Sequence, residues 1–438
     1  MQDYFFTLAD ALQAQLQGGE TLLLAFDGED SDFIRFNRAR VRQAGSVTRR
    51  SLALDLIAAD RHSAGRAQLA GSLEQDLPLL GCLLEDLRTQ RAHLPADPYL
   101  NFATDDTSSK TLVESELPGR AAALDAIMGA TGALDLVGIY AAGAVYTGFA
   151  NSLGQRNWHV CESFNFDWSC FHATDKAVKS DYAGLFWDPD ELQARMQHAQ
   201  ADLEIVRRPP KTIDRGRYRV YLAPRALQEV LQMMAWGGFG LKSRRTGQSP
   251  LNRMLADGLH LDPAVDLSER HDRGLEAPFT SEGFAKPERI HLVANGTLGD
   301  SLVDARSARE YDIGVNAASE WPASLDMAPG SLDVGDVLDA LDTGLYINNL
   351  WYLNFSDRNQ ARITGMTRFA CFWVEGGKPQ APVNVMRFDD SIYRMLGENL
   401  LGLTRERELL LDNGTYGGRS SKSVELPGAL IEGLNFTL

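Results

Sequence analysis

The chain has 438 residues and a formal net charge of −16, from 43 Lys and Arg against 59 Asp and Glu. With 44% hydrophobic and 23% charged residues, it has globular composition, room for one to three domains, and a core that needs no disulfide or metal staple. So acidic a chain excludes nucleic acid as a general partner, because the short basic stretches, Arg35 to Arg50 and Lys242 to Arg245, are interleaved with apolar and polar residues.

Residues 1–18 read as an amphipathic helix, with Phe5, Leu8, Leu12 and Leu16 on one stripe. Asp3 and Asp10 stand where a signal peptide would carry basic residues. No run approaches the ~20 apolar residues of a membrane-spanning helix, and the four cysteines (Cys82, Cys161, Cys170, Cys371) have no framework spacing. The expectation is a soluble, cytoplasmic protein without a membrane partner. Three strands are predicted next, Thr21–Asp27, Asp32–Ala44 and Ser46–Ala59, the last two as a hairpin turning at Gly45. Helical spacing returns over Ala67–Arg91 and Ser115–Met128, and strands over Leu134–Gly154 and His159–Ala173. A polar helix, Trp187–Val206, runs into Arg207-Arg208-Pro209-Pro210-Lys211, where the Pro pair cannot continue it. This is the best linker, and it divides the chain into residues 1–206, a linker 207–214, and residues 215–438. Beyond it come a strand over Tyr218–Leu222 and a helix over Pro224–Gly237. From about residue 260 short strands and Gly, Asn and Asp turns dominate. The fold class is α+β: an N-terminal half with an antiparallel sheet and helices, joined to a β-rich C-terminal half.

Several local patterns occur in a telling order. Phe36-Asn37 precedes Arg40-Val41-Arg42-Gln43; Gly138-Ile139-Tyr140 with Gly143 precedes Asn151-Ser152-Leu153-Gly154 and Glu162-Ser163-Phe164-Asn165-Phe166. Thr280-Ser281-Glu282-Gly283 is followed by His291-Leu292-Val293-Ala294-Asn295-Gly296-Thr297-Leu298, and later by Gly344-Leu345-Tyr346-Ile347, Gly365-Met366-Thr367-Arg368, Glu375-Gly376-Gly377 and Pro382-Val383. In this order the chain resembles the TldD/PmbA family over most of its length. The resemblance implies a two-domain α+β architecture with a barrel-like C-terminal domain.

The catalytic branch of that family is a zinc peptidase, with two histidines and a glutamate on one helix and a cysteine near the C-terminus. Zinc takes neutral imidazole and thiolate ligands and keeps one position for water, whose proton a nearby carboxylate accepts. The matching helix here reads Ala226-Leu227-Gln228-Glu229-Val230-Leu231-Gln232-Met233. Glu229 stands in the place of the general base and Gln228 in that of the first histidine. The second histidine position falls at Gln232 or Met233. Where the family has Gly-Thr-Cys-Gly, this chain has Gly414-Thr415-Tyr416-Gly417. Amides and a thioether are poor zinc ligands beside imidazole and thiolate, so the resemblance implies a zinc-less, TldE/PmbA-type member with no cofactor of its own. It implies a partner too: a TldD-like zinc subunit, or a second copy, enclosing a chamber for unfolded or small peptides.

Other constellations compete with this reading. His159, Cys161, Cys170 and His172 would form a Cys2His2 zinc site only if the two pairs met across a hairpin. The alternating aromatics Phe164, Phe166 and Trp168 favour one continuous strand instead. No Gly-x-Ser-x-Gly elbow or phosphate-binding Gly-x-x-x-x-Gly-Lys-Ser/Thr loop is present. In Trp351-Tyr352-Leu353-Asn354-Phe355 strand alternation puts Trp351, Leu353 and Phe355 on one face. On the other, Tyr352, with Arg368 and Trp373, forms a candidate groove for peptide or partner. The alternatives to a partner subunit are a homodimer that binds peptide or protein without hydrolysis, and a stand-alone hydrolase using an unrecognised site such as His159/Cys161/Cys170/His172.

Overall fold

The computed structural model describes residues 1–173 and 176–437. Strand runs with alternating burial build the first sheet: β1 (Glu20–Asn37), β2 (Arg40–Ala58), β3 (Arg61–Gln68), β4 (Ser109–Leu112), β5 (Asp135–Asn151), β6 (Arg156–Ala173) and β7 (Lys176–Gly184). They lie in the order β3-β2-β1-β5-β6-β4, with β7 also on β6. Neighbours are antiparallel except the β4–β6 pair. The hairpin predicted at Gly45 is corrected: Gly45 sits mid-strand opposite Phe33. The turn is Arg38-Ala39, both at φ 52°. A two-residue hairpin turn needs positive φ at both central residues, and neither residue advertises it.

Even-numbered residues of the long strands share one face. Leu22, Leu24, Phe26 and Trp158 pack there against α1 (Gln2–Gln13) and α2 (Leu73–Arg91), through Phe5, Leu8, Leu80 and Leu84. Further along, Phe36, Tyr140, Phe166 and Trp168 pack against α3 (Arg120–Thr131) and α4 (Pro189–Val206), through Ile127, Met196 and Leu203. Each such buried side chain contributes about 1.5–3 kcal/mol. The odd-numbered face receives the second half: Leu23, Ile57 and Phe149 pack on Ala277 and Phe279, and Cys161 on Leu275 and Leu411. Gly143 also lies on this face at φ 141°, where an added Cβ would stand 2.1 Å from the Asp30 carbonyl oxygen. Only glycine lets β1 and β5 approach so closely there.

The second sheet has eleven strands: β8 (Gly216–Leu222), β9 (Leu267–Arg270), β10 (Arg289–Ala294), β11 (Thr297–Leu298), β12 (Ser324–Met327), β13 (Gly344–Asp357), β14 (Arg362–Glu375), β15 (Lys378–Pro382), β16 (Arg387–Ser391), β17 (Leu400–Leu411) and β18 (Ser423–Phe436). The expectation of short strands is corrected by β13, β14, β17 and β18, which run 12 to 14 residues. Pairings β8–β13, β13–β14, β14–β16, β16–β18 and β18–β8 form a closed circuit. Helix α5 (Pro224–Gly238) packs on β13 and β18, its Leu227, Val230, Leu231 and Met234 joining the second half's core. The molecule is a mixed α+β protein.

Segment 207–214 lies against β15: the Lys211 N–H donates to the Pro382 carbonyl at 2.8 Å, and Lys211 Nζ sits 4.2 Å from the Trp373 ring centroid. Ala370 and Phe372 of β14 enter the core around α4, so the two halves share apolar surface. No helix among the described residues is long and apolar enough to cross a membrane.

Candidate functional site

Helix α5 starts with Pro224 in its first turn, where the missing N–H costs nothing. It ends where Gly237 turns to φ 76°. Opposite its core stripe, Arg225, Gln228, Glu229 and Gln232 line a cleft of about 530 Å³. Lys179 of β7, Asn349 and Trp351 of β13, and the segment joining β17 to β18 supply the other walls. Gln228 and Gln232, four apart, share this face, whereas Met233 is buried in the second half's core. The i, i+4 spacing is therefore the one that faces the cleft.

Across β6 and β7, Asp167 and Asp181 stand directly opposite each other, an arrangement that like charges disfavour. Two cations resolve it. Arg225 Nη2 lies 2.9 Å from Asp181 and 4.0 Å from Asp167, and Lys179 Nζ lies 3.2 Å from Asp167. Asn413 Nδ2 also donates to Asp167, at 2.7 Å. Burial disfavours the Arg225 charge, but Asp181 and Asp167 more than offset that and hold its pKa above the ordinary value. Arg225 Nη1 donates to Gln228 Oε1 at 3.0 Å. Burial pushes the Glu229 carboxyl up, and Arg225 and Lys179 pull it only partly back.

A second cleft of about 380 Å³ shares Lys179 and Arg225 with the first. Burial pushes Asp202 there up to about 6, against the pull of His198 at 3.7 Å. Glu408 is raised by burial as well. Its side chain nevertheless keeps 39% of its surface accessible, which places it in a crowded cleft and not in the core.

Residues 215–438, just over half of the chain, match the model of the PmbA/TldA metallopeptidase C-terminal domain. The chain belongs to the PmbA/TldD family. Solved structures agree in fold. A proposed modulator of DNA gyrase from Thermotoga maritima is similar at TM-score 0.75 and 16% identity, over 99% of both chains. TldE from Thermococcus kodakarensis is similar at 0.74 and 11%, over 100% of both. A proposed modulator of DNA gyrase from Bacteroides thetaiotaomicron is similar at 0.76 and 13%, over 99% of this chain and 98% of that one. No curated protein sequence gives a significant match.

The residues expected at the family's zinc-ligand positions, Gln228, Gln232 or Met233, and Tyr416, do not fit a zinc ion. The Gln228 carbonyl oxygen already accepts from a guanidinium, and two cations, Arg225 and Lys179, act on Glu229. A divalent cation would meet an amide engaged elsewhere and repelling charges. Tyr416, in the loop after β17, is fully exposed. Three residues on, the same loop enters the odd face of the first sheet. There Arg419 donates to the carbonyl oxygens of Gly143 (2.9 Å) and Ser163 (2.8 Å) and to Ser163 Oγ (2.7 Å).

The remaining candidates are dispersed. His159, Cys161, Cys170 and His172 lie on the single unbroken strand β6, so the nine residue steps from Cys161 to Cys170 span ~30 Å, and the pairs never meet. His159 Nε2 bonds to the Leu275 carbonyl at 2.9 Å, and burial pushes both Cys161 and Cys170 up to about 12. Tyr352 (75% exposed) and Arg368 do adjoin one site: Arg368 lies 4.7 Å over the Trp351 ring, and Trp351 packs beside Tyr352. Trp373 is elsewhere, against Tyr218 and Lys211. The expected alternation of 351–355 fails because Tyr352 adopts φ 58° and the register slips between Trp351 and Asn354, leaving Trp351 half exposed. Asp167, Lys179, Asp181, Arg225 and Asn349 went unnoticed in the sequence. The local signals are the Lys179-x-Asp181 spacing on one strand face and the i, i+3 and i, i+4 spacing of Arg225 with Gln228 and Glu229 on α5.

Proposed function

We propose that this chain is a non-catalytic, TldE/PmbA-like subunit that completes the substrate chamber of a TldD-type zinc metallopeptidase for unfolded or small peptides. The observation that carries the reading is the helix α5 cleft. It keeps the glutamate, yet ties Gln228 to Arg225, faces Gln232 outward and buries Met233. A general base without a metal-bound water has nothing to deprotonate. Family membership and the fold shared with TldE from Thermococcus kodakarensis support the pairing. Four free cysteines fit a reducing, cytoplasmic setting. The dispersal of His159, Cys161, Cys170 and His172 weighs against a stand-alone hydrolase.

The test is metal content and cleavage of an unfolded protein, by this chain alone and mixed with a zinc-bearing relative from the same source. Activity confined to the mixture supports the reading. Stoichiometric zinc and cleavage by the chain alone overturn it, and a stable metal-free homodimer that binds peptide but never pairs with the relative favours the non-hydrolytic binding protein.

A further inference from the structure

We propose that the cleft beside α5 holds an extended peptide by its main chain, with the side-chain amides of Gln228, Gln232 and Asn349 pairing with its peptide groups. The inference rests on the peptide-chamber reading above and names what the chamber wall on this chain would recognise.

Three amides line this cleft with hydrogen-bonding capacity to spare. Asn349 is 6% exposed, and its Oδ1 is buried without a hydrogen bond. Gln228 accepts from Arg225 through Oε1, while its Nε2 has no acceptor among the described residues. Gln232 is exposed in the cleft and its side chain is unbonded among the described residues. A buried acceptor left unmade is costly, and an entering N–H removes that cost. Each primary amide offers a donor and an acceptor, the same pair that a peptide group carries.

The spacing fits an extended chain. Gln228 and Gln232 are one turn apart on α5, about 6 Å along its axis. Alternate residues of an extended strand, which face the same way, repeat every ~6.6–6.8 Å. The two glutamines match that repeat. Asn349 stands on β13, the strand on which α5 packs, so the third amide approaches from a second wall.

The charges favour a neutral ligand. Lys179, Arg225 and Lys422 line the cleft together with Glu229 and Asp412, and Asp167 and Asp181 hold the first two cations. A basic group meets the cations and an acidic one the carboxylates, so neither sign gains. A peptide group meets neither penalty. Trp321 and Trp351, 42% and 50% exposed, line the cleft with Leu231, Leu325 and Phe369. They give the flanking side chains apolar surface whatever their identity, as a site for unfolded peptides requires.

The experiment titrates the full chain, without any zinc-bearing relative, with the blocked peptide acetyl-Gly-Ala-Ala-Ala-Gly-amide. Analogues replace one backbone N–H at a time by an ester oxygen, and counterparts carry a central lysine or glutamate. At least one ester should bind about tenfold more weakly than the parent peptide. The lysine and glutamate counterparts should bind within about threefold of each other. Asn349→Leu should erase the largest ester penalty, and Gln232→Ala should weaken the parent peptide by about threefold or more. Gln232 is exposed, so its variant tests the proposal even where Asn349→Leu is destabilised. Equal binding of the parent and every ester overturns the proposal. So does a preference above about threefold for lysine or glutamate, an ester penalty that persists in folded Asn349→Leu, undiminished binding in Gln232→Ala, or no binding at millimolar concentration. Because the titration needs no second subunit, its failure is separable from failure of the partner reading, which is judged by cleavage in the mixture.

Discussion

Arg225, on the first turn of α5 in the second half, meets Asp181, on β7 in the first half, at 2.9 Å. Both side chains are largely shielded, 15% and 9% accessible. Removing the arginine leaves Asp181 facing Asp167 across the sheet. Arg225→Met should therefore destabilise the protein by about 3–5 kcal/mol, the usual cost of stranding one partner of a buried pair. Adding Asp181→Leu should recover part of it. Denaturant unfolding of the two variants measures this, and a loss under about 1 kcal/mol for the single variant would show that the pair does not tie the halves together.

Arg419 makes a second tie. Its backbone N–H donates to Glu29 Oε2 at 3.1 Å, and its guanidinium holds Gly143 and Ser163. Arg419→Ala should cost about 2–4 kcal/mol, from several hydrogen bonds and the acceptors they leave unmet. It should also release the loop that carries Tyr416, so limited proteolysis within residues 412–422 should quicken. Unchanged cleavage there would mean that the loop is held by something else.

Asp202 gives a pH signature. Its carboxyl is raised to about 6, chiefly by burial. Between the ordinary carboxylate range and pH 6 the folded state holds a proton that the unfolded state has released. The stability contributed by this group is therefore fully present below about pH 4 and is lost as pH rises through 6. Asp202→Asn removes the dependence, so the variant should gain about 1–3 kcal/mol over the parent at pH 8 relative to pH 4, at ~1.4 kcal/mol per pKa unit. Parallel unfolding free energies at the two pH values would refute the assignment.

The four cysteines should separate cleanly. Cys82 is exposed, and Cys161, Cys170 and Cys371 are buried, with burial raising all three buried thiols. A thiol reagent at pH 8 should modify one cysteine rapidly in the native protein and four after denaturation. Fast modification of a second native thiol, identified by mass spectrometry, would contradict the packing around β6 or β14.

The fold was legible where burial imposes a period. The α1 stripe Phe5, Leu8, Leu12 and the β6 alternation Phe164, Phe166, Trp168 announce their faces, because each such residue is buried on one side. Strand β3 was not legible: Arg61–Gln68 is an edge strand whose only buried position is Ser63, so it carries no apolar alternation. The turn at Arg38-Ala39 was hidden because its positive φ values fall on residues with no preference for them. At the site, one helix could be read as a unit, and Gln228, Glu229 and Gln232 came with it. Asp167, Lys179 and Asn349 arrive from three separate strands, and only the register of β6 on β7 and the packing of α5 on β13 bring them together. Local sequence holds no record of either.

The circuit of strands in the second half closes where Leu222 of β8 lies opposite Ala429 of β18, positions roughly 200 residues apart, and so distant a contact forms late. At a synthesis rate of ~5–20 residues per second, β8 waits about 10–40 s on the ribosome before this neighbour exists. The helix-covered first sheet faces no such delay, since its members all lie upstream of β8. During that interval the nascent second half shows bare strand edges, and the first half still lacks Ala370 and Phe372, which complete its core around α4.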